Sequence, residues 1–316
     1  VNATLDVIGI DLGGTKIKAG IVGHDGDIRN EISSPTPVAG GKEAILDRLL
    51  EMIRQLRDVP PDGVMALGIG SAGRIDRETG QVLYATDNLP GWMGTPLKAV
   101  LEQTCSLPVF VENDVNAAAL GEGWLGAGRG IHHYVLVTIG TGVGGALVHH
   151  NRLINGPRGG AGEVGHMILY PGGLPCNCGL AGCLEQYVSG TALNRLARSG
   201  NSEWNSRMVM ERLEKEDPLA IGIIETFLAS LTAGLVSIQN VYDPELIILG
   251  GGVADSHLVW WKRLEARLKQ LPLPIRVVPA ALGNQAGILG AARLAFDEMG
   301  TMTIGDRRGG SYESGQ

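Results

Sequence analysis

Two short apolar runs, each broken by a glycine turn, stand out along the chain. Residues 6–22 read Asp-Val-Ile-Gly-Ile-Asp-Leu-Gly-Gly-Thr-Lys-Ile-Lys-Ala-Gly-Ile-Val, with β-forming residues on both sides of Gly13-Gly14-Thr15. That layout predicts a hairpin rather than a strand feeding a helix. Residues 135–148 repeat it as Val-Leu-Val-Thr-Ile-Gly-Thr-Gly-Val-Gly-Gly-Ala-Leu-Val. Superposing the two sets Asp11 on Thr138 and Gly13 on Gly140, about 127 positions apart. Such an offset points to a duplicated domain, since solenoid repeats recur about every 20–50 residues.

Between and after the hairpins, strands alternate with helices. Ile45, Leu46, Leu49, Leu50, Ile53 and Leu56 give residues 43–57 the stripe of an amphipathic helix. Residues 64–69 form a short apolar strand that ends in a glycine-rich turn, and 108–112 another, with a helix from Val115 to Trp124 directly behind it. Residues 219–242 predict a long apolar helix, 246–249 a buried strand running into Gly250-Gly251-Gly252, and 286–299 the last helix. The polar, glycine-rich stretch 301–316 has no periodicity and is expected to be disordered. Alternation of this kind predicts an α/β protein with a largely buried mixed sheet in each half. At about 150 residues per domain, 316 residues agree with two domains.

Charge narrows the partners. A formal charge of -7 argues against a nucleic-acid backbone or an anionic membrane. Residues 219–242 carry Glu225 and several polar side chains, too polar for a membrane span. The N-terminal residues show no signal-peptide layout, which predicts a cytoplasmic protein. Glycine, at 48 residues, is about twice as frequent as the usual roughly 7%. Gly and Pro together still fall below the roughly 25–30% of low-complexity chains, so the glycines are local devices within a folded protein.

A glycine turn without Cβ atoms can close on an oxyanion and donate several N–H groups to it. Asp11, placed to hold Mg²⁺ or its water shell, opens the first turn, and Thr15 and Lys16 close it. Either hairpin could equally use glycine only for positive φ; two related copies beside polar residues favour phosphate binding. No Gly-x4-Gly-Lys-Ser/Thr is present, which excludes a P-loop. Residues 68–73 and 140–145 match the dinucleotide-binding glycine pattern, yet neither runs into a helix, so a dehydrogenase is excluded.

Glu112-Asn113-Asp114 stands where a strand ends and a helix starts. Asp114 fits either a helix cap or a general base at the carboxyl edge of a sheet, with Asn113 alongside to bind a hydroxyl. His166, Cys176, Cys178 and Cys183 supply four soft ligands at spacings suited to a closed, structural zinc site. Glu163 and Glu185 flank that loop; they are either solvated carboxylates or acceptors for a polyol, and a zinc-bound His166 has its second ring nitrogen left for a hydroxyl.

Asp11-Leu-Gly-Gly-Thr-Lys, Glu112-Asn-Asp-Val-Asn-Ala-Ala-Ala, Thr138-Ile-Gly-Thr-Gly-Val-Gly-Gly, Gly162-Glu-Val-Gly-His166 and Cys176-Asn-Cys-Gly-Leu-Ala-Gly-Cys-Leu-Glu185 together resemble the ROK family of sugar kinases and repressors. The resemblance runs from about residue 6 to 298. It implies an actin-like, hexokinase-like (ribonuclease H-like) α/β fold with a cleft between two domains. Residues 1–112 and the helix near 286–299 would form the small domain, 113–285 the large one with the zinc loop, and 300–316 the tail. It implies ATP and Mg²⁺, transfer to the 6-hydroxyl of a hexose or N-acylhexosamine, a structural Zn²⁺ and a homodimer. Asp114 then matches the catalytic base, Asn113 a sugar ligand, and Glu163, His166 and Glu185 the residues that hold hydroxyls near the anomeric end. Gly13, Gly14, Thr15 and Lys16, with Thr138, Gly140, Thr141 and Gly142, match the phosphate loops; Gly250, Gly251 and Gly252 lie where adenosine is bound.

The sugar is less sharply implied. Gly73-Arg74 departs from the glucokinase pattern toward N-acetylmannosamine kinases, with Arg74 and Thr86 toward a 2-acetamido group. Asn88-Leu-Pro-Gly-Trp92 resembles glucokinases. Glucose is the expected substrate, with N-acetylmannosamine or N-acetylglucosamine the alternative. A hairpin starting by residue 6 is expected to leave no room for the helix-turn-helix of the family's repressors, so the non-enzyme alternative is a catalytically silent sugar sensor.

Overall fold

The first hairpin forms from the apolar alternation around Gly13-Gly14-Thr15. In the computed structural model, which describes residues 6–58 and 63–308, β1 (Asp6–Leu12) pairs antiparallel with β2 (Lys16–Val22), setting Asp11 opposite Lys18. β3 (Ile28–Pro35) continues the meander and leads to α1 (Gly41–Arg57). The predicted stripe of α1 is the buried one: Ile45, Leu49, Ile53 and Leu56 face the core, joined by Met52. β4 (Val64–Ser71) returns parallel to β1 and places Gly70 beside Asp11. Next comes a small antiparallel pair, β5 (Arg74–Ile75) and β6 (Val82–Tyr84). α2 (Leu97–Cys105) follows, then β7 (Val109–Asn113), parallel to β4 with Glu112 beside Gly70, and α3 (Asp114–Leu125). The sheet order is β3-β2-β1-β4-β7.

The second hairpin builds another sheet. β8 (Tyr134–Ile139) and β9 (Val143–His149) pair antiparallel, and β10 (Arg152–Leu153) extends them. After the cysteine loop come α4 (Glu185–Val188), α5 (Gly190–Gly200), α6 (Ser206–Leu213) and α7 (Pro218–Tyr242). Asp217 caps α7, and Pro218 fits its first turn because that turn needs no N–H from it. β11 (Leu246–Gly250), α8 (His257–Leu268) and β12 (Val277–Pro279) complete the order β10-β9-β8-β11-β12. Length and hydropathy alone would let α7 cross a membrane, yet 56% of its most apolar window is buried inside this unit, where Phe227, Leu231 and Leu235 pack on Val135, Val137 and Leu249.

The chain divides into two compact units, residues 1–125 with 284–316, and 126–283. The division expected between residues 112 and 113 therefore falls inside the first unit, because α3 packs on β4 and on α9 (Ala286–Arg308). The tail expected to be disordered from residue 300 is helical through Arg308; residues 309–316 lie outside the described residues.

In the first unit, Ile8, Ile10, Leu12, Leu67 and Ile69 form a core with α1 and α2 on one face of the sheet. On the other face, Gly9 of β1 and Gly68 of β4 leave the strand backbone without side chains where α9 crosses it. A Cβ on Gly68 would strike the Ala291 carbonyl, and one on Gly290 the Ala117 carbonyl, so α9 lies almost backbone to backbone on β4 and α3. The helix that closes this unit thus needs small residues at its crossings.

Candidate active site

The first four N–H groups of a helix lack partners within it, and α3 starts directly at the end of β7. Asn113 supplies the cap: its Oδ1 accepts the N–H groups of Val115 at 2.9 Å and Asn116 at 3.1 Å. Its Nδ2 donates to the Gly73 carbonyl at 2.9 Å and to Asp114 Oδ1 at 3.0 Å. Asp114 Oδ1 also accepts the Val115 N–H at 3.0 Å, and its Oδ2 takes no partner among the described residues. Capping thus falls mainly to Asn113, and one oxygen of Asp114 remains for chemistry. Beneath them Glu112 is buried, its Oε1 accepting the Asn113 N–H at 2.8 Å and Asn116 Nδ2 at 2.9 Å.

Burial pushes the Asp114 carboxyl up to about 7, and the nearby Asp11 charge pushes the same way against the bonds from Val115 and Asn113. Asp11 is raised too, by burial, with Lys18 opposing. Lys18 Nζ lies 3.9 Å from Asp11 Oδ2 and donates to the carbonyl and Oδ1 of Asn284 at 3.1 and 2.9 Å. α9 contributes by leaving room: a Cβ on Gly287 would sit 2.5 Å from Asp11 Cγ. A carboxyl poised near neutrality, with one oxygen held and one open, has the properties of a general base.

Around it in the same unit, the Gly13 N–H donates to the Lys16 carbonyl at 3.1 Å, and Thr36 braces the turn by donating its hydroxyl to the Gly13 carbonyl at 2.7 Å. Thr15 and Lys16 are exposed at the turn, and Asn88 lies against Gly14. Arg74, next to Gly73, has its guanidinium 5.6 Å from the centre of the Tyr84 ring.

The second unit gathers the other predicted residues. Thr138 lies one residue before the end of β8, and the turn Gly140-Thr141-Gly142 is tied to the start of α5: Gly190 N–H donates to the Gly140 carbonyl at 2.8 Å, and the Thr191 hydroxyl to that of Thr141 at 2.8 Å. A helix N-terminus beside a glycine turn is electropositive and suits phosphate oxygens. Gly250, Gly251 and Gly252 follow β11, and Val253 N–H returns to the Ile139 carbonyl at 2.9 Å. Glu185 leans on the same turn: its Oε2 accepts the Val143 N–H at 2.9 Å and fills the space a Cβ on Gly142 would take.

His166, Cys176, Cys178 and Cys183 converge, their ligand atoms all within 4.8 Å of one another. Cys178 and Cys183 sulfurs are 3.6 Å apart, and Cys176 sulfur is 3.7 Å from His166 Nδ1. Tetrahedral zinc with ligands at about 2.0–2.3 Å needs separations of about 3.5–3.8 Å, so the donor set fits. Burial, with the neighbouring thiols, pushes Cys183 up to about 12, since three thiols cannot ionise together without a cation. His166 Nε2 faces Glu163 Oε2 at 3.9 Å.

Sequence reasoning did not find the supporting roles of Glu112 and Asn116, or the buried bond from Trp92 Nε1 to Ser71 Oγ at 3.0 Å. The one available signal was a carboxylate at the end of an otherwise apolar strand.

The ROK family model matches residues 7–298. The glucokinase of Thermotoga maritima is 35% identical over 94% of this chain and 99% of its own length. The N-acetylmannosamine kinase of Shigella flexneri is 33% identical over 93% and 99%. The crystal structure of a ROK family glucokinase from Streptomyces griseus, in complex with glucose and AMPPNP, matches with a TM-score of 0.81 and 36% identity, over 92% of this chain and 99% of that one. These likenesses give the expected actin-like, hexokinase-like α/β fold. With the two hairpin sheets, the carboxyl edge at Asp114 and the cysteine loop, they place the chain in the ROK family.

Proposed function

We propose that this protein is an ATP-dependent sugar kinase that transfers the terminal phosphoryl group to the 6-hydroxyl of a hexose, with glucose as the principal substrate. The observation that carries the reading is the Asp114 carboxyl, raised to about 7 with Oδ2 open, because a sugar hydroxyl must lose its proton as it attacks phosphorus. The O–P bond forms, the bond from phosphorus to ADP breaks, and Asp114 takes the hydroxyl proton. Asn113 orients Asp114 and meets the sugar, with Gly73 and Asn88 beside it. Glu163, His166 and Glu185 accept or donate at hydroxyls near the anomeric end. The turns at Gly13–Lys16 and Thr138–Gly142 hold phosphates, and Gly250–Gly252 the adenosine. Mg²⁺, with Asp11 as the side chain to hold it or its water, would neutralise charge on the phosphates.

His166, Cys176, Cys178 and Cys183 are read as a structural zinc site, supported by their donor set and spacing. Zinc on His166 Nδ1 leaves a proton on Nε2, which can donate to a hydroxyl or to Glu163. Removing zinc with a chelator is expected to raise the sugar KM more than the ATP KM, read by steady-state kinetics alongside metal content. A cytoplasmic homodimer is part of the proposal, and light scattering tests the dimer.

Arg74 and the Shigella flexneri relative favour one second reading, an N-acetylmannosamine or N-acetylglucosamine kinase. An ADP-release assay across hexoses and N-acetylhexosamines decides it. Glucose is expected to show the highest kcat/KM. A higher value for N-acetylmannosamine overturns glucose and keeps the kinase; silence across the panel with sugar still bound overturns the kinase in favour of a sensor.

A further inference from the structure

A second cluster of nitrogen ligands lies in the second unit, apart from the cysteine loop. His133 immediately precedes β8, His149 closes β9, and His150 follows it. The ladder pairs Tyr134 with Val148, so the next position sets His133 against His149. The ring centroids form a near-equilateral triangle, 4.3, 4.4 and 4.4 Å on its sides. One nitrogen from each ring lies within 4.8 Å of the others, and the Nδ1 atoms of His133 and His149 are 2.8 Å apart.

The backbone that carries them is firmly set. His150 and Asn151 have φ of 51° and 59°, two successive left-handed residues that turn β9 tightly into β10. Asn151 N–H donates to the His132 carbonyl at 3.1 Å, and its Nδ2 donates to His132 Nδ1 at 2.7 Å, holding the turn against the entry to β8. From the other side, Glu245 Oε1 accepts the N–H groups of His132 and His133 at 3.2 and 3.0 Å. A hydrogen bond between two imidazoles accounts for one pair of these rings; it does not account for a third closing the triangle.

We propose that His133, His149 and His150 form a surface site for a late first-row divalent ion of the Zn²⁺, Ni²⁺ or Cu²⁺ class. Bonds of about 2.0–2.1 Å to zinc need nitrogens about 3.3 Å apart in a tetrahedron, reached by small ring rotations from the observed spacing. Three neutral imidazoles without a carboxylate in the set select these ions over Mg²⁺ and Ca²⁺. His149 and His150 are exposed, so water completes the coordination. An ion there would pin the start of β8 to the β9–β10 turn. This inference is independent of the kinase reading.

The test measures Zn²⁺ retained by the full chain after equilibrium dialysis against micromolar Zn²⁺. The wild type is expected to retain one more ion per chain than the double variant His149→Ala, His150→Ala, whose two sites are exposed and whose sugar phosphorylation is expected to be unchanged. The variant His24→Ala, at an exposed histidine elsewhere, is expected to keep the wild-type zinc content. Equal zinc in the wild type and the double variant overturns the site, and an equal loss in His24→Ala overturns its specificity for the cluster.

Discussion

In the first unit, Asp11 lies near the end of β1 between Lys18 on the hairpin partner and Gly70 on the parallel neighbour; in the second, Thr138 holds the same ladder position between Gly144 and Gly250. The strand orders correspond as well, each a three-stranded meander followed by two parallel strands. What differs is the chemistry at the carboxyl edge. The first unit runs β7 into Asn113 and Asp114 and so sets two carboxyls near each other. The second offers a hydroxyl, glycine turns and the start of α5. On the proposed reading each unit offers a glycine turn to phosphates, while proton transfer falls to the first unit alone.

Removing the base should break the comparison most sharply. Asp114→Asn keeps the bond from Asn113 in outline and is expected to lower kcat about 10²–10⁴-fold with sugar binding retained, measured by ADP release and sugar titration. Near-normal turnover would sink the assignment. The same variant should be more stable than the wild type at neutral pH and above. A carboxyl at about 7 when folded and about 3.9 when unfolded binds more protons in the folded state, so its contribution to stability falls as pH rises from about 4 through about 7. The gain above pH 7 is expected to be about 1–4 kcal/mol, vanishing below pH 4, by denaturant unfolding across pH.

Thr138→Asp would copy the first unit's carboxylate into the second. It is expected to raise the KM for ATP about tenfold by charge repulsion and to leave the sugar KM nearly unchanged, read by steady-state kinetics. A rise in both would mean that the two edges are not specialised. The smallest effect concerns the acid limb of kcat/KM, which should fall below about pH 7 as Asp114 takes up its proton. Asp11→Asn removes the neighbouring charge and should move that limb to lower pH in whatever activity the variant retains. A limb that stays in place would show that burial alone sets it.

Both hairpins, α1 and the cysteine loop were legible because each is written locally, in alternation, in a 3.6-residue stripe or in ligand spacing. The division of labour at residues 113 and 114 was not. Asn and Asp cap helices about equally well, and only the fold shows Gly73 receiving the second N–H of Asn113 and fixing its amide. Where α9 ends and what it covers were equally hidden. Gly68 and Gly290 mark its crossings, but nothing nearby in the chain tells a glycine under a distant helix from one in a turn.

That helix has a consequence for how the molecule is made. β1 and β4 leave the ribosome before α9, the layer that covers their glycine face, which follows β4 only after more than two hundred further residues. The first unit must therefore stay unfinished until residues 284–308 are made, with one face of its sheet uncovered, while all of residues 126–283, the second compact unit, come before that helix. A chain cut short before residue 284 would carry a complete second unit and an open, aggregation-prone first one.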